Sequence, residues 1–72
     1  MNVELMRFIR KTHDLSIREF AKKIDVSFSL VSRIEGGDRR LTKRVEQRII
    51  SAFELTEEKL LTIRVLITVV KN

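Results

Sequence analysis

Residues 15–42, LSIREFAKKIDVSFSLVSRIEGGDRRLT, decide the fold, because they read as two short helices meeting at a tight turn. Ser16 and Glu19 form a Ser-x-x-Glu box. The hydroxyl accepts from the Glu19 amide and the carboxylate reaches back to the Ser16 amide, which starts a helix at Ile17. Ile17, Phe20, Ala21 and Ile24 recur at helical spacing and form its apolar stripe. Asp25-Val26 makes the turn, and Ser27 is a good cap for the second helix. That helix runs to Glu35 and stops at Gly36-Gly37, where a left-handed residue costs little. Leu30, Val31 and Ile34 are its apolar positions, leaving Phe28, Ser29, Ser32 and Arg33 on its other faces.

Working outward, Val3 to about Thr12 has the spacing of another helix, with Phe8 and Ile9 expected to face the core. Downstream, Thr42 caps a helix whose buried stripe is Val45, Ile49, Ala52 and Phe53. Thr56 caps a fifth, with Glu57 and Glu58 at the positive end of its dipole. The stretch Thr62 to Val70 changes character, since seven of the nine residues in TIRVLITVV are β-branched. Ile63, Val65, Ile67 and Val69 alternate with Thr62, Arg64, Leu66 and Thr68, which favours a strand; a helix is the alternative. A lone strand leaves its backbone unpaired, so this segment is expected to pair with the same segment of a second copy, with Ile63, Val65, Ile67 and Val69 as the dimerisation residues. Residues 1–61 then form the globular domain and 62–72 the dimerisation tail.

Seventy-two residues make one small domain. A chain this size buries only about 60% of its unfolded surface, so oligomerisation would help it. With no cysteine there are no disulfides or thiolate metal ligands, and with no proline and two glycines a helical fold is favoured over a turn-rich β fold. The first eleven residues, MNVELMRFIRK, interleave charges with apolar residues and lack the apolar core of a signal peptide, and no apolar run is long enough to span a bilayer. A cytoplasmic protein is the expectation. Fifteen Lys and Arg against ten Asp and Glu leave a net charge of +5, which suits a polyanionic partner. Arg33, Arg39, Arg40, Lys43, Arg44 and Arg48 concentrate that charge just after the second of the two quoted helices.

Together these residues resemble the helix-turn-helix of the phage repressor and Cro type, the XRE family. The resemblance rests on Phe20-Ala21 in the first helix of the pair and Val26-Ser27 at the turn. It continues with Val31-Ser32-Arg33-Ile34-Glu35-Gly36-Gly37, the basic loop Asp38-Arg39-Arg40 and a capped fourth helix, and it covers roughly residues 3–61. It implies an all-α, five-helix, lambda-repressor-like DNA-binding domain whose third helix enters the major groove of double-stranded DNA. Carried over by position, Phe28, Ser29 and Arg33 would read base edges, arginine pairing with guanine and phenylalanine touching a thymine methyl. Ser27, Ser32, Gly37, Arg39, Arg40 and Lys43 would lie against the DNA backbone, and Arg10 would form a structural ion pair with Glu35. The sequence departs from the family pattern at Ile17, Asp25, Asp38 and Leu41, where glutamine, glycine, lysine and proline are common.

No other chemistry is comparably supported. His13 is the only histidine, so neither a zinc site nor a Ser-His-acid arrangement is expected, and Glu57-Glu58 reads as a helix-terminal charge pair. Neither enzyme activity nor a cofactor is expected. The favoured reading is a homodimeric repressor. The runner-up is an antitoxin whose apolar tail serves a toxin, and a toxin or antirepressor protein is a conceivable partner. A pure protein-interaction module is the third reading.

Overall fold

The computed structural model describes residues 1–71. Five helices follow one another: α1 (Val3–Thr12), α2 (Ile17–Lys23), α3 (Phe28–Gly36), α4 (Lys43–Ala52) and α5 (Glu57–Lys71). Each start is fixed by a polar side chain that satisfies an otherwise unpaired amide. Asn2 accepts from Leu5 N at 2.8 Å, Ser27 from Leu30 N at 3.1 Å, Thr42 from Val45 N at 3.3 Å and Thr56 from Lys59 N at 3.2 Å. At α2 the box is reciprocal, with Glu19 N donating to Ser16 Oγ and Ser16 N to Glu19 Oε1. The Asn2 cap is one that the sequence pattern does not single out.

The helix ends share one device. Asp14, Asp25, Glu54 and Gly37 adopt left-handed backbones with φ of 54°, 59°, 51° and 89°. In each case the amide of the following residue reaches back five positions: Leu15 to Arg10, Val26 to Ala21, Leu55 to Ile50 and Asp38 to Arg33. This is the Schellman arrangement, which ties off the last carbonyls of a helix. Three of the four then repeat a pattern: an acid in the left-handed position, an apolar residue folded back on the core, and a Ser or Thr cap. The runs are Asp14-Leu15-Ser16, Asp25-Val26-Ser27 and Glu54-Leu55-Thr56. Consecutive helices thereby turn sharply with no spare chain.

The core is built from Leu5, Met6 and Ile9 of α1, Phe20 and Ala21 of α2 with Ile24 beyond it, Val31 and Ile34 of α3, Val45 and Ile49 of α4, and Leu55. Phe8, expected to face the core with Ile9, is only half-buried, because Leu5, Met6 and Ile9 already occupy the inward face of α1. Phe53 and Ala52 are likewise half-buried at the core margin. The Phe53 ring lies 5.6 Å from that of Phe20 and 4.6 Å from His13.

The strand expected over Thr62–Val70 is corrected, because this segment is the body of α5. Among the described residues no second strand is present to take its backbone hydrogen bonds, whereas a helix satisfies its own. The β-branched residues cost only some tenths of a kcal/mol each in a helix. Thr62 and Thr68 also direct their hydroxyls to the carbonyls of Glu58 and Arg64, both at 3.0 Å. Helical geometry divides the four alternating residues. Ile63 and Ile67, four apart, face inward and pack on the core with Leu60, while Val65 and Val69 point outward. The helix runs unbroken past Leu61, and Asn72 of the expected tail lies outside the described residues.

Candidate nucleic-acid interface

α2 and α3 pack closely. Ala21 on α2 is buried between the helices, where its small side chain permits the approach, and Val31 and Ile34 are the buried face of α3. Burying those two positions turns the remaining faces outward. Phe28, 42% exposed, and Ser29 stand on the first turn, Arg33 lies one turn beyond Ser29, and Ser32 beside them is half-buried. Ser27 stands just before this face with its hydroxyl oxygen accepting from Leu30 N, which leaves its own proton free to donate outward.

The cations divide into two groups. Arg7 and Arg10 hold Glu35, and Arg48 of α4 pairs at 3.1 Å with Asp25 in the α2–α3 turn. Among the described residues Arg33, Arg39, Arg40, Lys43 and Arg44, all exposed, enter no hydrogen bond or ion pair through their side chains. Arg39, Arg40 and Arg44 line a cleft with Ser27, Leu30 and Thr42, so the N-termini of α3 and α4 open onto the same basic surface. Helix N-termini and unpaired guanidinium groups both favour a phosphate there. Arg44 belongs to the basic cluster, but the family resemblance does not place it against the DNA backbone. Its place two residues after the Thr42 cap, in the first turn of α4, is the available signal. Lys43 stands at the start of α4 outside the cleft lining, and the Gly37 amide already donates to Ile34 O at 3.2 Å.

Arg10 and Glu35 meet at the rear of α3. Arg10 Nε and Nη2 donate to the two carboxylate oxygens of Glu35 at 2.8 and 3.0 Å, while Nη1 donates to Leu15 O at 2.9 Å. Arg7 adds a contact that the sequence did not suggest, donating to Glu35 O at 2.9 Å with its Nε 3.4 Å from Glu35 Oε1. The end of α3 is therefore clamped to α1 and to Leu15 just before α2.

One further contact lies at the front. The Arg18 guanidinium stands 4.5 Å from the centroid of the Phe28 ring, joining the first turns of α2 and α3. Nearby, the Ser16 amide and then its hydroxyl hold the Glu19 carboxyl below the usual carboxylate range. Among the described residues no cluster of His, Cys, Asp or Glu is placed to hold a metal ion, and no helix is long and apolar enough to cross a membrane.

No curated protein and no solved structure matches the chain. A family model described as Helix-turn-helix matches residues 6–60, which runs from within α1 to the first turn of α5 and includes every residue of the surface just described. The chain belongs to this helix-turn-helix family, the XRE type of DNA-binding transcription regulators.

Proposed function

We infer that the protein is a homodimeric repressor, acting in the cytoplasm, that reads a two-half-site operator by inserting the N-terminal half of α3 into the major groove. The observation that carries the reading is the exposed face of Phe28, Ser29 and Arg33 flanked by the unpaired cations Arg39, Arg40, Lys43 and Arg44. Arg33 and Phe28 differ in what they can recognise: a guanidinium donates to guanine O6 and N7, and an aromatic ring contacts a thymine methyl. Ser27, Ser32, Arg39, Arg40 and Lys43 then hold the backbone on either side, setting register and salt dependence rather than sequence. Gly37 serves by turning the chain so that the basic loop faces the same way as α3.

The second copy docks on α5. Leu61, Val65 and Val69 are spaced four apart and form an exposed apolar stripe, Val65 and Val69 being 54% and 65% exposed. Such a stripe is self-complementary across a two-fold axis, and a two-fold dimer matches two half-sites about 34–36 Å apart. Ile63 and Ile67 contribute by seating α5 on the core. The same stripe supports the second reading, an antitoxin in which a toxin covers α5.

The deciding experiment is selection of bound DNA from a random pool at about physiological salt with the full-length protein, alongside Val65→Glu. Enrichment of a symmetric motif by the parent protein, with a monomeric and weakly binding Val65→Glu variant, is expected. Salt-sensitive background binding without a motif sinks the repressor reading. A stoichiometric partner co-purifying from the native host would favour the antitoxin.

A further inference from the structure

Arg18 breaks a local rule. It occupies the second position of α2, at the positive end of the helix dipole, where a cation is disfavoured. No compensating ion pair is present: Glu19 beside it is engaged with Ser16, and among the described residues no acceptor takes an Arg18 N–H. Its one partner is the Phe28 ring, within the roughly 6 Å over which a cation is attracted to an aromatic face. Both side chains are exposed, so this attraction is modest. The ring contacts one part of the guanidinium, and among the described residues no acceptor takes any of its five N–H donors, so they remain available to a ligand. Phe28 itself is 42% exposed, next to the exposed Ser29.

Resting on the reading that α3 enters the major groove, we propose that Arg18 and Phe28 form a composite reader of one base step in each half-site. The Phe28 ring sits against a thymine methyl, and Arg18, held in place by that ring, donates two hydrogen bonds to O6 and N7 of an adjoining guanine. α2 thereby contributes a specificity-determining residue alongside Arg33. Stacking restricts a long side chain before DNA arrives, which lowers the ordering cost of the bidentate contact.

The test is random-pool selection and titration with the full-length parent protein and with Arg18→Ala, Arg18→Lys and Phe28→Leu, each checked for unchanged helicity. The parent motif is expected to contain a thymine–guanine step in each half. Arg18→Ala is expected to lose the guanine there, keep the Arg33-dependent position, and bind the parent site roughly 5- to 150-fold more weakly. Arg18→Lys keeps the charge without the planar fork, so it is expected to retain the salt dependence while its preference for guanine weakens. Phe28→Leu keeps an apolar contact but removes the ring under the guanidinium, so guanine preference is expected to weaken. An unchanged Arg18→Ala motif overturns the proposal. So does an equal loss on selected and random DNA with a shallower salt slope, which marks a phosphate anchor. A parent protein that selects no motif defeats the underlying groove reading instead, a result distinct from both.

Discussion

Replacing Arg10 by alanine is expected to remove a large part of this protein's stability. Seventy-two residues at the usual stability per residue give about 4–11 kcal/mol in total. The Arg10 and Glu35 side chains are 13% and 8% exposed, so this is a largely desolvated pair and not a surface bridge. Removing the arginine strands the Glu35 carboxylate and leaves Leu15 O without its donor. Stranding one partner of such a pair costs about 3–5 kcal/mol. Arg7 remains 3.4 Å from the carboxylate and takes up part of the loss, which places the expected cost near the lower limit, about 3 kcal/mol. Urea unfolding should show a lower midpoint with an unchanged slope, and the melting temperature should fall by roughly 12–24 °C. Arg7→Ala is the internal control. Its side chain is 43% exposed, so about 0–1 kcal/mol is expected, and that small effect should fade at high salt. Replacing Arg10 and Glu35 together by Met and Leu should be far milder than either single loss, because no charge is left stranded. If Arg10→Ala falls within about 1 kcal/mol of the parent and matches Arg7→Ala, the pair is an ordinary surface bridge and the argument fails.

The left-handed helix ends give a paired expectation. Gly37→Ala should destabilise by about 1–2 kcal/mol although a Cβ there meets nothing within 4 Å, while Glu54→Gly should stabilise by up to about 1 kcal/mol, both read from thermal unfolding. Equal effects at the two sites would refute the backbone account. Arg40→Ala should weaken selected and random DNA alike and make the slope of log affinity against log salt shallower by about 0.9. An unchanged slope removes Arg40 from the phosphate contacts. Glu19 has its carboxyl lowered in the folded state, so its contribution is present above the ordinary carboxylate range and fades as pH falls through the lowered value. Glu19→Gln should therefore flatten the acid limb of stability against pH, and an unaltered limb would show that the capping box does not govern it.

Much of this molecule was legible because its signals are local. The Ser16–Glu19 box, the caps at Ser27, Thr42 and Thr56, and the stop at Gly37 each depend on residues within one helical turn. The apolar stripes of α2 and α3 follow from spacing alone, and fixing the buried face of α3 already dictates that Phe28, Ser29 and Arg33 face outward. The C-terminal segment was misjudged for the opposite reason. Its β-branched composition is a weak preference, and the decision lay with the partner available to its backbone and with the core margin that Leu60, Ile63 and Ile67 could cover. Neither is a property of the segment itself. Contacts between distant positions were likewise beyond spacing: Arg7 on the Glu35 carbonyl and Arg18 over Phe28 bring together residues from different helices. Local hydrogen bonding and periodicity determined α1 to α4, the start of α5, and the buried stripes of α2 and α3. Packing of one helix on another decided which cations are neutralised and which remain free to meet a phosphate, because only the assembled fold sets the distances between charges.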